Sequence, residues 1–246
     1  MPLLMNDDTM GQVKTASNYS FSAVKLDELG ASEYTLVTIV VDRSSSLHGY
    51  DRDLEKMIKE SVDSCKKSSR SENLLIRLVS FNQNEEEEHG FKLLSTIDVA
   101  DYDNIIKTSG STLLFDSMFH AIEATSNYGE ILAKQDFFSN AIIFVITDGM
   151  DNESTYGPDQ IKTLLETTRR SENLESIAVV LIGMTPSNDV QQYLDKFKDG
   201  AELDEYIEMG SVTAGKLAKL AGYISQSVSS TSQALGTGGK SQSLSF

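Results

Sequence analysis

Asp42, Ser44 and Ser46 stand at alternate positions directly after an apolar run, 36–41, and offer one carboxylate and two hydroxyls. Oxygen donors of this kind suit a small hard cation such as Mg²⁺. Two other stretches carry matching chemistry. Gly110-Ser111-Thr112 adds a hydroxyl, and Thr147-Asp148-Gly149 adds a second carboxylate at the end of another apolar run. Taken singly, each has an ordinary explanation. Asp42 and Ser44 suit an Asx or Ser turn at a strand exit, and Thr112 stands where a helix N-cap belongs. Taken together, two carboxylates arriving at one place would repel unless a cation lay between them.

Whether they arrive at one place depends on the elements that carry them. Residues 36–41 are apolar and largely β-branched, the composition of a strand buried on both faces of a parallel sheet. Similar runs occur at 74–81, 140–147 and 175–183, with a shorter one at 205–209. Between them, apolar residues recur at helical spacing, as Leu54, Met57, Ile58 and Val62 do in 51–67. Further helices are expected at 113–135, 159–168, 190–197 and 212–228. Only a short loop separates 74–81 from the apolar residues of 90–95. A parallel crossover needs a dozen or more residues, so this pair is expected to be antiparallel.

The pattern predicts an α/β fold: a doubly wound, mostly parallel six-stranded sheet in the order 3-2-1-4-5-6. Its third strand is antiparallel at the edge, and helices cover both faces. In that order strands one and four are neighbours, and ligands bind at the carboxyl ends where the winding reverses. Asp42, Ser44 and Ser46 would then lie beside Asp148, with the Thr112 loop in reach.

Three regions are expected: a flexible arm at 1–20, one domain at 21–228, and a Ser/Gly/Gln-rich tail at 229–246. A short edge strand is expected within 21–29. Glu85, Glu86, Glu87 and Glu88 read as a solvated hairpin tip. The tail ends in Ser241-Gln-Ser-Leu-Ser-Phe246, a segment suited to strand addition on a partner's sheet edge.

Composition narrows the function. A formal net charge of −16 argues against nucleic acid and against an anionic membrane surface as partners. Cys65 is the sole cysteine, which rules out an internal disulfide, and His48, His89 and His120 lack zinc-ligand spacing. The sequence lacks a signal-peptide pattern and an apolar run of membrane-spanning length, so a cytoplasmic protein is expected, or part of an assembly exported without a signal peptide.

Asp42-x-Ser44-x-Ser46, Gly110-Ser-Thr112 and Thr147-Asp148-Gly149, in that order, resemble the von Willebrand factor A domain and its metal-ion-dependent adhesion site. The resemblance covers roughly residues 35–228 and is closest to stand-alone bacterial and phage-encoded domains. Ser45 and Ser111 stand where the family usually has glycine. Gly49 and Tyr50 replace the adjacent acids that hold a second metal in integrin-type members. The resemblance implies Mg²⁺, with Mn²⁺ or Ca²⁺ as substitutes, held through the hydroxyls of Ser44, Ser46 and Thr112, with Asp42 and Asp148 acting directly or through water. It also implies a protein partner supplying an Asp or Glu carboxylate.

The function expected is therefore a metal-dependent, adhesion-type binding module and not an enzyme. One rival is a structural component of a larger assembly, such as a virion or an ATPase-associated complex. Another is a Mg²⁺-dependent hydrolase. A dehalogenase-like phosphatase needs a second Asp where Ser44 stands, and neither a phosphate-binding Gly-rich loop nor a nucleophile elbow is present.

Overall fold

The computed structural model describes residues 8–237. Its strands are β1 (Met10–Lys14), β2 (Ser20–Val24), β3 (Glu33–Asp42), β4 (Leu74–Phe81), β5 (Glu85–Leu93), β6 (Phe138–Thr147), β7 (Ile177–Gly183) and β8 (Glu205–Glu208). Its α-helices are α1 (Asp51–Lys66), α2 (Leu114–Ala133), α3 (Pro158–Arg170), α4 (Asn188–Gly200) and α5 (Ala214–Thr237). The strands form one mixed, mostly parallel sheet in the order β1-β2-β5-β4-β3-β6-β7-β8.

From β5 to β8 this is the order expected from sequence, with β5 antiparallel to β4. The strand count and the edge need correction. The sheet has eight strands, because β1 and β2 add an antiparallel hairpin and β2 pairs parallel with β5 at Ala23↔Phe91. β5 is therefore an internal strand. The stretch 8–20, expected to be a flexible arm, holds β1 and the hairpin turn. That turn closes with Thr15 N donating to Tyr19 O at 2.8 Å, and Asn18 takes a φ of 68°. β1 has no apolar alternation because it is an edge strand, made by hydrogen bonds to β2 and not by burial.

β3 is buried on both faces, as a central parallel strand should be. Leu36 and Val40 pack with α2, α3 and α4 through Met118, Ile122, Leu165 and Phe197. Val37, Ile39 and Val41 pack with α1 and α5 through Leu54, Ile58, Leu220 and Ile224. Helices thus cover both faces. α5 runs past residue 228, where the final helix was expected to stop. Thr231 and Ser232 are buried, Asn140 Nδ2 donates to Thr231 O at 2.7 Å, and Arg70 Nε donates to Ser232 Oγ at 3.0 Å. The strand-like segment 241–246 lies outside the described residues. Among the described residues, no helix is long and apolar enough to cross a membrane.

The four glutamates are not a solvated tip. They open β5, and each has a partner. Glu85 meets His120 Nδ1 at 2.8 Å, and Glu86 pairs with Arg43 at 3.0 Å. Glu87 accepts from Arg77 Nε at 2.8 Å, and Glu88 accepts from Ser80 Oγ at 2.6 Å. A register shift between Leu78 and Val79 lets the adjacent Glu88 and His89 both turn inward, where His89 Nε2 meets Tyr102 OH at 2.7 Å.

β2 approaches β5 so closely at Gly90 that an added Cβ would stand 1.9 Å from Ser22 O. The neighbour is backbone, so β2 itself must move. Gly90→Ala should cost about 1–3 kcal/mol, seen as a lower urea midpoint, with amide exchange rising first in β1 and β2. Unchanged exchange there would show that the hairpin accommodates the methyl group.

Candidate metal-binding site

β3 and β6 are parallel neighbours, in register through Val41↔Ile146, so their carboxyl ends finish side by side. Asp42 is the last residue of β3, and Asp148 follows the last residue of β6. After Asp42 the backbone turns back on the carboxylate. Ser44 N donates to Asp42 Oδ1 at 2.7 Å, and Thr147 Oγ1 donates to Oδ2 at 2.6 Å. Ser44 Oγ and Ser46 Oγ lie 3.0 Å apart, and Ser46 Oγ donates to Asp148 Oδ1 at 2.7 Å. A continuous polar chain thus joins Asp42 to Asp148 across 106 residues of sequence.

The Thr112 loop is fastened to the turn that follows β3. Ser109 N donates to Arg43 O at 2.8 Å, and Ser45 N donates to Gly110 O at 3.1 Å. Gly110 has a φ of +77°, a backbone conformation that favours glycine, and it lies against Gln83. Asn82, just past β4, donates from Nδ2 to Ser109 O at 2.9 Å and accepts from Leu113 N at its own carbonyl, also at 2.9 Å. This bracing residue escapes sequence reasoning; its one signal is an amide side chain directly after a strand, at the carboxyl edge of the sheet.

Thr112 is not spent on capping α2. Phe115 N donates to Asp151 Oδ1 at 3.2 Å, and Asp116 N donates to Ser154 Oγ at 3.0 Å, so the following loop caps that helix. The Thr112 hydroxyl instead borders Gly149, 3.6 Å from where a Cβ would stand. Asp151 is occupied with Phe115 and Ser154, which makes it a loop-building residue. Asp51 sits in the first turn of α1 and accepts from Thr108 N at 2.9 Å and Thr108 Oγ1 at 3.0 Å, tying that helix to the Thr112 loop. Burial pushes the Asp51 carboxyl up, but the bonds from Thr108 and Gly49 outweigh it and hold it below its usual range.

Asp42, Ser44 and Thr112 are buried, and Ser46 faces solvent. Burial pushes the Asp42 carboxyl up to about 6 against the bonds from Thr147 and Ser44, and the nearby Asp148 charge adds to it. Burial also raises Asp148, against its bond from Ser46. Both carboxylates are thus costly as bare anions, and a cation beside them would relieve both. The donors available are carboxylate and hydroxyl oxygens, which fit a hard divalent ion. Among the described residues, no group of three or more His, Cys, Asp or Glu is placed to hold a metal.

Solved structures resemble this one. The PilB minor pilin from Streptococcus sanguinis matches with a TM-score of 0.59 and 14% identity, over 85% of this chain and 64% of its own. Proximal thread matrix protein 1 from the mussel byssus, in a structure described as having a zinc-occupied MIDAS motif, matches with a TM-score of 0.50 and 17% identity, over 80% of this chain and 46% of its own. The pilus adhesin SpaC from Lactobacillus rhamnosus GG gives 0.55 and 9%, over 93% and 34%. The likeness is one of fold. The chain spans less than two thirds of the length of each of these proteins. No family model matches the chain, and neither does any curated protein sequence. The α/β architecture agrees coarsely with the von Willebrand factor A resemblance.

Proposed function

We propose that this chain is a divalent-cation-dependent protein-binding module of the adhesion type, and that it binds without turning over a substrate. One observation carries the reading. The carboxyl ends of β3 and β6 bring Asp42 and Asp148 together through the Ser44 and Ser46 hydroxyls, at 2.7, 3.0 and 2.7 Å along the chain of contacts. Thr112, relieved of capping, completes the donor set.

In this reading Ser44, Ser46 and Thr112 hold Mg²⁺ through neutral oxygens, and Asp42 and Asp148 balance its charge. When bound, the ion supplies a Lewis-acidic centre that an Asp or Glu of a protein partner completes. Neutral hydroxyls are weaker donors than carboxylates, so the ion stays electrophilic enough to take one more anion. Asp42, locked by Thr147, holds the Ser44 turn in place. Asn82 holds the loop that presents Thr112. Mn²⁺ or Ca²⁺ would fit the same oxygens. The mussel protein's zinc-occupied motif supports a divalent ion in this fold without deciding which one belongs here.

The test is a calorimetric titration of Mg²⁺ into chelator-stripped protein. Wild type should show saturable uptake, Asp42→Ala none, and Thr112→Ala uptake weakened by at least about tenfold. Wild type that takes up no Mg²⁺, Mn²⁺ or Ca²⁺ into the millimolar range would sink the reading.

A further inference from the structure

A second opening lies beside the proposed metal site. The start of α1 and the loop 104–108 enclose a cavity of about 360 Å³, whose walls include Gly49, Asp51, Arg52, Glu55, Asn104 and Lys107. The acids in these walls are already engaged. Asp51 accepts from Thr108 N, Thr108 Oγ1 and Gly49 N at 2.9, 3.0 and 3.3 Å. Glu55 Oε1 accepts from Ile106 N at 3.0 Å. The bases are not engaged. Most of the chain's 21 Lys and Arg residues are held in ion pairs or on carbonyl oxygens. Arg52 and Lys107 have neither among the described residues, and both are exposed. Lys107 feels the Glu88 carboxylate through space, without an ion pair. Two unpaired cations thus line one cavity from two different elements, in a chain whose net charge is −16.

The cavity is joined to the metal site by short backbone segments. Gly49 is three residues beyond Ser46, and Thr108 is four residues before Thr112. An extended chain covers at most about 3.6 Å per residue, which puts the Gly49 wall within roughly 11 Å of Ser46. The Asp51–Thr108 bonds fix the two walls to each other.

We propose that this cavity is a subsite for a second carboxylate of the same protein ligand. The ligand is an acidic peptide segment. Its first acid completes the metal site, and its second, about three residues away, sits between Arg52 and Lys107. The inference rests on the metal-dependent reading above. It also supplies what that reading lacks, a source of selectivity. The chain's negative charge opposes acidic partners in general, so a ligand gains from this face only when both acids reach their two positive centres. A long polyanion such as nucleic acid meets the same repulsion without matching that spacing.

The test uses two synthetic peptides, acetyl-Gly-Asp-Gly-Gly-Glu-Gly-amide and its analogue with Gln in place of Glu. Each is titrated by NMR into the full chain with Mg²⁺ present. Wild type should prefer the di-acidic peptide by about tenfold. The Arg52→Gln/Lys107→Gln variant should lose that preference while its calorimetric Mg²⁺ uptake stays that of wild type. Equal affinities in wild type, or a preference that survives in the double variant, would overturn the subsite. Mg²⁺ uptake with no peptide preference sinks the subsite alone. A preference that depends on Arg52 and Lys107 without Mg²⁺ uptake sinks the metal reading and, with it, the two-acid ligand proposed here, leaving an anion-binding cavity alone. Absence of both effects sinks both.

Discussion

Arg77→Ala should cost about 3–5 kcal/mol of folding stability, the range for breaking a buried ion pair by removing one partner. Arg77 is 0% exposed, in the interior of β4. Its Nε donates to Glu87 Oε2 at 2.8 Å, an Nη donates to Tyr19 OH at 2.6 Å, and the guanidinium lies 5.7 Å from the Tyr19 ring centroid. Tyr19 sits in the turn of the β1–β2 hairpin, and Glu87 also accepts from Ser22 N of β2 at 2.9 Å. One guanidinium therefore fastens the hairpin to the sheet. Without it the Glu87 carboxylate keeps a single backbone donor in a site closed to water, which is why the loss exceeds that of a surface pair. Arg77→Met combined with Glu87→Met should recover most of the loss, because neither charge is then left alone. Urea denaturation of the two single variants and the double variant measures the coupling. A single-variant loss below about 1 kcal/mol would mean that water reaches Glu87 and that the pair behaves like an exposed one.

The same pair shows where the sequence stopped being informative. The apolar runs ending at Asp42 and Asp148 are legible because burial on both faces leaves a continuous hydrophobic signature, and chain direction then places both acids at one end of the sheet. Four consecutive glutamates look solvated to any one-dimensional reading. Their partners are Arg77 and Ser80 on the neighbouring strand β4 and the more distant Arg43 and His120, pairings that depend on the strand register, and the bulge that turns Glu88 inward leaves no local mark. β1 was hidden because an edge strand needs hydrogen bonds more than apolar side chains. The end of α5 was hidden because Ser229, Ser230 and Thr231 read as a linker, although Thr231 is buried and its carbonyl receives Asn140. At the candidate site, residue types and spacing singled out five oxygen-bearing side chains, of which hydrogen bonds join Asp42, Ser44, Ser46 and Asp148. They did not identify the groups that aim them: Thr147 on Asp42, Asn82 beneath the Thr112 loop, and Asp151 and Ser154 capping α2 in place of Thr112. Such supporting bonds join residues that only the folded topology brings together.

Asp42→Asn should make the metal-free protein more stable above pH 6 while abolishing its response to divalent cations. Burial holds the Asp42 carboxyl at about 6 in the folded chain against an ordinary value of 3.8. Between those values the folded state keeps a proton that the unfolded state has lost, so stability falls as pH rises through the window. Above it the carboxylate carries its whole penalty, on the order of 2–3 kcal/mol. Asparagine has no charge to desolvate. Its carbonyl can still accept from Ser44 N, and its amide can donate to the Thr147 hydroxyl, so the turn is preserved. The variant's stability should therefore lack this pH term. It should match wild type at low pH and exceed it by that order above pH 6, in urea melts with chelator present. Mg²⁺ should close that gap at about one hundred times its Kd, where it adds about 2.7 kcal/mol to the protein that binds it, and reverse the ranking near one thousand times, where it adds about 4.1 kcal/mol. Parallel pH profiles for wild type and variant would refute the burial argument, and an Asn variant still stabilised by Mg²⁺ would move the ion away from Asp42. The two outcomes are separable because the first needs no metal. A residue whose burial costs the metal-free protein stability at neutral pH is thus the one expected to tie cation binding to stability.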